Sequence, residues 1–89
     1  MNLSGGWILK VRDNVYQTLE RLPKNDKVKL TRTIEELPAD PYRGDIEKME
    51  GELRTWRRRV GAYRIFYELL VEQRTIHVFR VERRTSKTY

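Results

Sequence analysis

Trp56-Arg57-Arg58-Arg59-Val60-Gly61-Ala62-Tyr63-Arg64-Ile65-Phe66-Tyr67 writes a run of cations into what reads as a β-hairpin. In an extended chain successive side chains leave opposite faces, so Arg57 and Arg59 share one face while Trp56, Arg58 and Val60 share the other. Gly61-Ala62 supplies the turn. On the returning strand Arg64 joins Arg57 and Arg59, while Tyr63, Ile65 and Tyr67 point at a core. Guanidinium groups fixed on a rigid sheet suit a polyanion.

Outward from this hairpin, β-rich runs predict strands over 53–59, 62–70 and 75–81, joined as an antiparallel meander after a turn at Gly51. Towards the N-terminus, Trp7-Ile8-Leu9-Lys10-Val11 follows a glycine pair and predicts a further strand. Asp13 or Asn14 is placed to cap a first helix whose apolar positions Val15, Leu19 and Leu22 recur at helical spacing until Pro23. A second helix begins near Asn25-Asp26 and carries Val28, Leu30, Ile34 and Leu37 up to Pro38. Pro38 to Asp45, with two prolines, a glycine and two aspartates, reads as a loop. The expected fold is a small α+β domain: an antiparallel sheet of about four strands with an N-terminal helical hairpin packed on one face. The other face is left for a ligand. Residues 1–89 read as one domain, with a flexible start over 1–6 and a polar tail over 82–89.

The chain has 89 residues, 38 % hydrophobic and 36 % charged, enough for one core under a surface dense in charge. It has no cysteine and a single histidine, His77, which excludes a disulfide framework and argues against a structural zinc site. No apolar run reaches transmembrane length, and Met1-Asn2-Leu3-Ser4-Gly5-Gly6 lacks the basic and apolar regions of a signal peptide, so a soluble cytoplasmic protein is expected. The formal net charge of +6 is unevenly placed: residues 1–53 hold 9 Lys+Arg against 10 Asp+Glu, whereas residues 54–89 hold 10 against 3. Nine of those ten cations are arginine, the residue whose planar fork binds phosphate bidentately and stacks on bases, which points to nucleic acid.

The ordered set Leu19-Glu20-Arg21-Leu22-Pro23, Leu37-Pro38, Asp40-Pro41, Met49-Glu50-Gly51, Arg59-Val60-Gly61-Ala62-Tyr63-Arg64-Ile65-Phe66-Tyr67-Glu68 and the closing Val81 to Tyr89 resembles the RelE/ParE toxin superfamily of type II toxin–antitoxin modules, over residues 7–89. The resemblance implies a RelE-like fold and a metal-independent endoribonuclease that cuts mRNA on the ribosome, against its 16S rRNA surface, and is silenced by a cognate antitoxin. It implies no cofactor, metal or membrane partner. By position, Arg57 and Arg59 fall where RelE-like enzymes carry a pair of catalytic lysines, and Arg64, Arg84 and Tyr89 match further catalytic positions. Glu47 is the nearest match to the glutamate that serves as base in one branch. Arg54, Arg58, Arg83 and Lys87 are expected to contribute to RNA binding.

Metal-free cleavage requires a deprotonated 2′-hydroxyl, a stabilised phosphorane and a protonated 5′-oxygen. Arginines serve the second need well and the first badly, since a guanidinium stays protonated up to a pKa above about 12. Tyr89 and then Glu47 are therefore the candidates for base, with Arg84 beside the leaving group. The expected products are a 2′,3′-cyclic phosphate and a 5′-hydroxyl. Two other functions stay open: a ParE-like poison that binds DNA gyrase, and a degenerate module that binds RNA or antitoxin without cutting. The bland alternative for Arg57, Arg59 and Arg64 is a solvated outer face. Trp56, Tyr63, Tyr67 and Phe79 are assigned to the core and His77 to a packed or edge position.

Overall fold

The computed structural model describes residues 6–51 and 54–84. In chain order its elements are β1 (Ile8–Val11), α1 (Asp13–Glu20), α2 (Lys24–Glu36), β2 (Ile46–Lys48), β3 (Thr55–Val60), β4 (Tyr63–Leu70), a 3-10 turn (Val71–Gln73) and β5 (Thr75–Arg83). They build one sheet in the order β1-β5-β4-β3-β2. The central hairpin follows from its alternation: Val60 pairs with Tyr63 across a two-residue loop, Arg59 with Arg64, and Arg57 with Phe66. Gly61 alone of the two loop residues has a positive φ, +58°, the pattern of a type II′ turn, in which glycine takes the first central position.

Both helices lie on the same face of the sheet. Val15 and Leu19 of α1 and Leu30 and Ile34 of α2 are buried at i, i+4 spacing, against Tyr63, Ile65, Tyr67 and Leu69 of β4 and Ile76, Val78 and Val81 of β5. Trp7 and Leu37 close the ends of this core, and Trp56 packs partly buried at its edge. Among the described residues no helix is long and apolar enough to cross a membrane.

The expected sheet of about four strands is extended by a short fifth, Ile46–Lys48, which follows the loop expected over Pro38 to Asp45 and pairs antiparallel with Arg58, Arg57 and Trp56 of β3. Three features depart from the expectation. The sheet is mixed rather than wholly antiparallel, because β1 runs parallel to β5 and pairs Ile8 with Thr75 and Val11 with Val78. Glu82 and Arg83, expected in a polar tail, continue β5 opposite Arg64 and Tyr63. Finally, β5 carries an irregularity opposite Phe66 and Tyr67: Arg80 pairs with Phe66 and Val78 with Tyr67, leaving Phe79 extra. A bulge of this kind resets the alternation. Phe79 therefore lies not in the core but on the open face, its ring 6.3 Å from those of Phe66 and His77.

The Tyr67 side chain is fully buried and its hydroxyl donates to the Pro41 carbonyl at 2.8 Å, which pins the loop after α2 onto the sheet. Burial pushes its phenol up to about 12. Because the folded value lies above the usual unfolded value near 10, the neutral phenol favours the native state. That contribution, about 2–3 kcal/mol, is present below about pH 10 and lost as the pH rises through about 12. Tyr67→Phe should cost about 1–3 kcal/mol near neutrality, since it leaves a buried carbonyl unpaired. The gap between wild type and variant should narrow in urea unfolding between pH 9 and pH 12. A gap that stays constant would show that the hydroxyl does not titrate as described.

Candidate functional site

The face opposite the helices carries charge in rows set by strand register. In the row next to the turn, Arg59 of β3 faces Arg64 of β4, Arg64 faces Glu82 of β5, and Asp45 sits beside Arg59, whose N–H donates to the Asp45 carbonyl at 2.9 Å. The next row runs Glu47, Arg57, Phe66, Arg80. Each basic side chain meets an acid: Arg59 Nε lies 3.6 Å from Asp45 Oδ2, Arg64 Nη1 3.7 Å from Glu82 Oε1, Arg80 Nε 3.7 Å from Glu82 Oε2, and Arg57 hydrogen-bonds Glu47. Acids and arginines thus alternate across this face. Arg59 and Arg64 form the closer, non-hydrogen-bonded kind of antiparallel pair, with Cα atoms about 4.5 Å apart, since the pair flanking a two-residue turn is the bonded one. Like charges so placed repel, and Asp45 and Glu82 draw the two guanidinium groups outward on either side.

The acids reach the face because β2 is held there. Gly44 has φ +92°, a conformation costly for other residues, and a Cβ built on it would lie 2.7 Å from Arg58 Cζ. The Arg58 guanidinium therefore fills the space a side chain would need. Gly44→Ala should lower stability by about 1–3 kcal/mol through backbone strain, added to displacement of Arg58, and should loosen β2 with its Glu47. Urea unfolding together with amide exchange at Ile46 and Lys48 would read both effects; an unchanged midpoint would contradict this account.

The Arg57 guanidinium, hydrogen-bonded to Glu47, holds that carboxyl below the usual carboxylate range, with Arg59 and Arg64 adding to the effect. Glu47 is thus an exposed, ionised carboxylate in the field of three arginines. Arg84 follows β5, its N–H donating at 2.6 Å to the carbonyl of Ala62 in the turn. Counting by twos from Glu82 puts it on the open face beside Arg64. Its Nε is a buried donor without an acceptor among the described residues.

Of the sequence-derived site residues, the structure brings Arg57, Arg59, Arg64 and Glu47 together on the open face, with Arg84 at the same end of the sheet. Three expected RNA contacts are not with them. Arg58 lies on the helix side, half-buried under Gly44. Arg83 also lies on that side, its guanidinium 5.9 Å from the ring of Tyr63, whose hydroxyl binds Asp26 of α2. Arg54 borders a separate pocket with Trp56 and Leu69 at the far end of β3. The positions of Arg58 and Arg83 follow from the parity of their strands, whereas Arg54 precedes β3. Tyr89 and Lys87 fall outside the described residues. Asp45, Glu82, Arg80 and Phe66 belong to the face although charge and composition did not single them out; Phe66 lies beneath the Arg80 guanidinium at 4.3 Å.

His77 also lies on the open face, its Nδ1 3.1 Å from Glu68 Oε1. It stands two strands and two residues from Arg57, roughly 12 Å by strand spacing and rise. That separation places it beyond the reach of a phosphate held between Arg59 and Arg64.

A family model for the ParE toxin of the parDE type II toxin–antitoxin system matches residues 9–87. The RelE1 protein of Methanocaldococcus jannaschii is 28 % identical over 79 residues, covering 85 % of this chain and 88 % of the relative. Among solved structures, the archaeal RelE–RelB complex of Pyrococcus horikoshii superposes with a TM-score of 0.75 at 23 % identity, over 91 % of this chain and 98 % of the matched one. The isolated E. coli RelE toxin superposes with a TM-score of 0.77 at 15 % identity, over 92 % and 88 %. At these identities the structural likeness is one of fold.

Proposed function

The chain belongs to the ParE toxin family of type II toxin–antitoxin systems, and we propose that it is a metal-independent endoribonuclease that cuts ribosome-bound mRNA and is neutralised by a cognate antitoxin. One observation carries the nuclease reading: Arg57, Arg59 and Arg64 share one open face with an ionised Glu47. The RelE1 relative and the fold of the RelE structures support it.

In this mechanism the scissile phosphate sits between Arg59 and Arg64, whose forks take its non-bridging oxygens as charge builds on the phosphorane. Their exposed ion pairs with Asp45 and Glu82 are weak, so a dianionic phosphorane displaces them. Glu47 takes the 2′-hydroxyl proton, and Arg57, with five N–H donors, holds Glu47 and a phosphate oxygen together. The 2′-oxygen bonds to phosphorus, the bond to the 5′-oxygen breaks, and that oxygen leaves with a proton from Arg84, Tyr89 or water. Purified protein on programmed ribosomes should leave a 2′,3′-cyclic phosphate and a 5′-hydroxyl. A 3′-hydroxyl and 5′-phosphate pair would exclude the mechanism.

A second reading is favoured by the charge-balanced face and by arginines in place of the lysines: a toxin that poisons DNA gyrase by binding. Parallel incubation with gyrase and with programmed ribosomes separates the two. Relaxation or cleavage-complex effects on gyrase with intact mRNA would support the second reading over the first.

A further inference from the structure

Away from the charged face, at the end of the sheet remote from the Gly61-Ala62 turn, a cavity of about 310 Å³ opens between the loop after α2, the start of β3, the end of β4 and the 3-10 turn. It lies at the small end of the roughly 300–1,000 Å³ range of ligand sites. Two of its walls are aromatic. The rings of Tyr42 and Trp56 stand 5.8 Å apart at 85°, so they form a corner in which a flat ring can lie on one face and meet the other edge-on. Arg54 stands on the rim, and Glu72 and Gln73 add a carboxylate and an amide beside it.

Tyr42 is half exposed although it belongs to an aromatic chain that continues to Trp7 at 6.4 Å and to the Arg74 guanidinium over Trp7 at 4.7 Å. It is not a loose surface ring. Its N–H donates to Asp40 Oδ1 at 3.1 Å, and the carbonyl of the preceding Pro41 is held by Tyr67. The platform is therefore ordered before a ligand arrives, which lowers the cost of binding. With Arg54 and Glu72 of opposite sign, the pocket does not select for net charge. It offers stacking surface, a donor–acceptor pair for a heterocycle's edge, and one guanidinium for an adjoining phosphate.

We infer that this pocket binds a single unpaired nucleobase of an RNA strand, stacked on Tyr42 and Trp56, with Arg54 on the flanking phosphate. Trp56 faces away from Arg57 across the sheet and is three residues along β3 from Arg59, about 10 Å at strand rise, with the thickness of the sheet added. The base held here is accordingly not one of the two nucleotides flanking the scissile phosphate. The pocket is a second RNA contact, suited to anchoring the toxin on a strand held elsewhere. This inference rests on the proposed function only in taking the ligand to be RNA, and its test does not depend on cleavage.

The chain has two tryptophans, Trp7 and Trp56, so Trp7→Phe leaves Trp56 as the only indole reporter. Titration with AMP, GMP, CMP and UMP, and with the corresponding trinucleotides, should give saturable quenching, strongest for a purine and at least tenfold tighter for its trinucleotide. Base–aromatic stacking is worth roughly 5- to 150-fold per base. Tyr42→Ala should therefore weaken binding at least fivefold, and Arg54→Ala should reduce the trinucleotide's advantage and its salt dependence. Arg32→Ala, an exposed α2 cation that lines a different pocket, should leave both unchanged. Should Trp7→Phe fail to fold, the indole N–H signal of Trp56 in wild-type NMR spectra reads the same event. No saturable response to any ligand, or equal binding by Tyr42→Ala, would overturn the inference. A mononucleotide bound more tightly than its trinucleotide would assign the pocket to free nucleotides and overturn the RNA strand as its ligand. Loss of trinucleotide binding in Arg64→Ala alone would place the strand on the open face instead.

Discussion

Replacing Arg64 by alanine is expected to slow mRNA cleavage by about two to three orders of magnitude, the scale of a preorganised donor removed from a developing oxyanion, while the fold's stability stays level or rises slightly. Arg64 lies on central strand β4, faces Arg59 and, among the described residues, is tied sideways to Glu82 by a partly exposed pair. Its removal leaves no buried group unpaired and relieves a like-charge contact, so an effect on rate is separable from one on folding. Arg64→Lys should recover part of the rate, because it keeps the charge and loses the fork. Arg59→Ala should resemble Arg64→Ala, and the double variant should fall short of the product of the two, as expected when both groups act on one phosphate. Single-turnover cleavage on programmed ribosomes, with urea unfolding of each variant, is the measurement. Wild-type cutting by Arg64→Ala, or loss of cutting in step with loss of stability, would remove the phosphate site from between these strands.

Much of the fold was legible because its centre obeys simple periods. From Trp56 to Tyr67 the alternation and a glycine turn define the hairpin, and Val15, Leu19, Leu30 and Ile34 define the helix faces. What escaped is tertiary in origin. Ile46–Lys48 holds one apolar residue, so nothing local marks it as a strand; it exists through pairing with β3. The bulge at Phe79 arises from the mismatch of β5 with β4 and undoes the parity by which Phe79 was assigned to the core. The site shows the same division. Arg57, Arg59 and Arg64 were readable from alternation, and the same alternation separates Arg58 and Arg83 from them where a reading by charge alone does not. The acids were harder. Asp45 and Glu47 stand two apart, matching the spacing of Arg57 and Arg59, a complementarity that becomes visible only once residues 45–48 are known to be extended. Glu82 needed the β4–β5 register, which no local pattern supplies.

Glu47→Gln should separate two roles that the geometry gives to one carboxylate. As partner of Arg57, Glu47 neutralises a cation on the RNA face. As general base, it accepts the 2′-hydroxyl proton. The amide keeps the shape and loses both the charge and the basicity. RNA should then bind more tightly, with a steeper salt dependence by up to one further phosphate contact, while the rate of the chemical step falls by about two to four orders of magnitude. The pH profile sharpens the distinction. Arg57, Arg59 and Arg64 hold Glu47 below the usual carboxylate range, so the base is already ionised at neutral pH, and the wild-type rate should be flat through neutrality, with its acid limb displaced downward. A tyrosine base, titrating ordinarily near 10, would instead make the rate climb with pH over that range. If Glu47→Gln binds RNA more tightly and cuts at the wild-type rate on a rising profile, Glu47 is an ion-pair partner alone and the proton goes to Tyr89. If binding and rate fall together, the carboxylate serves to hold β2 and Arg57 in place, and neither catalytic role survives.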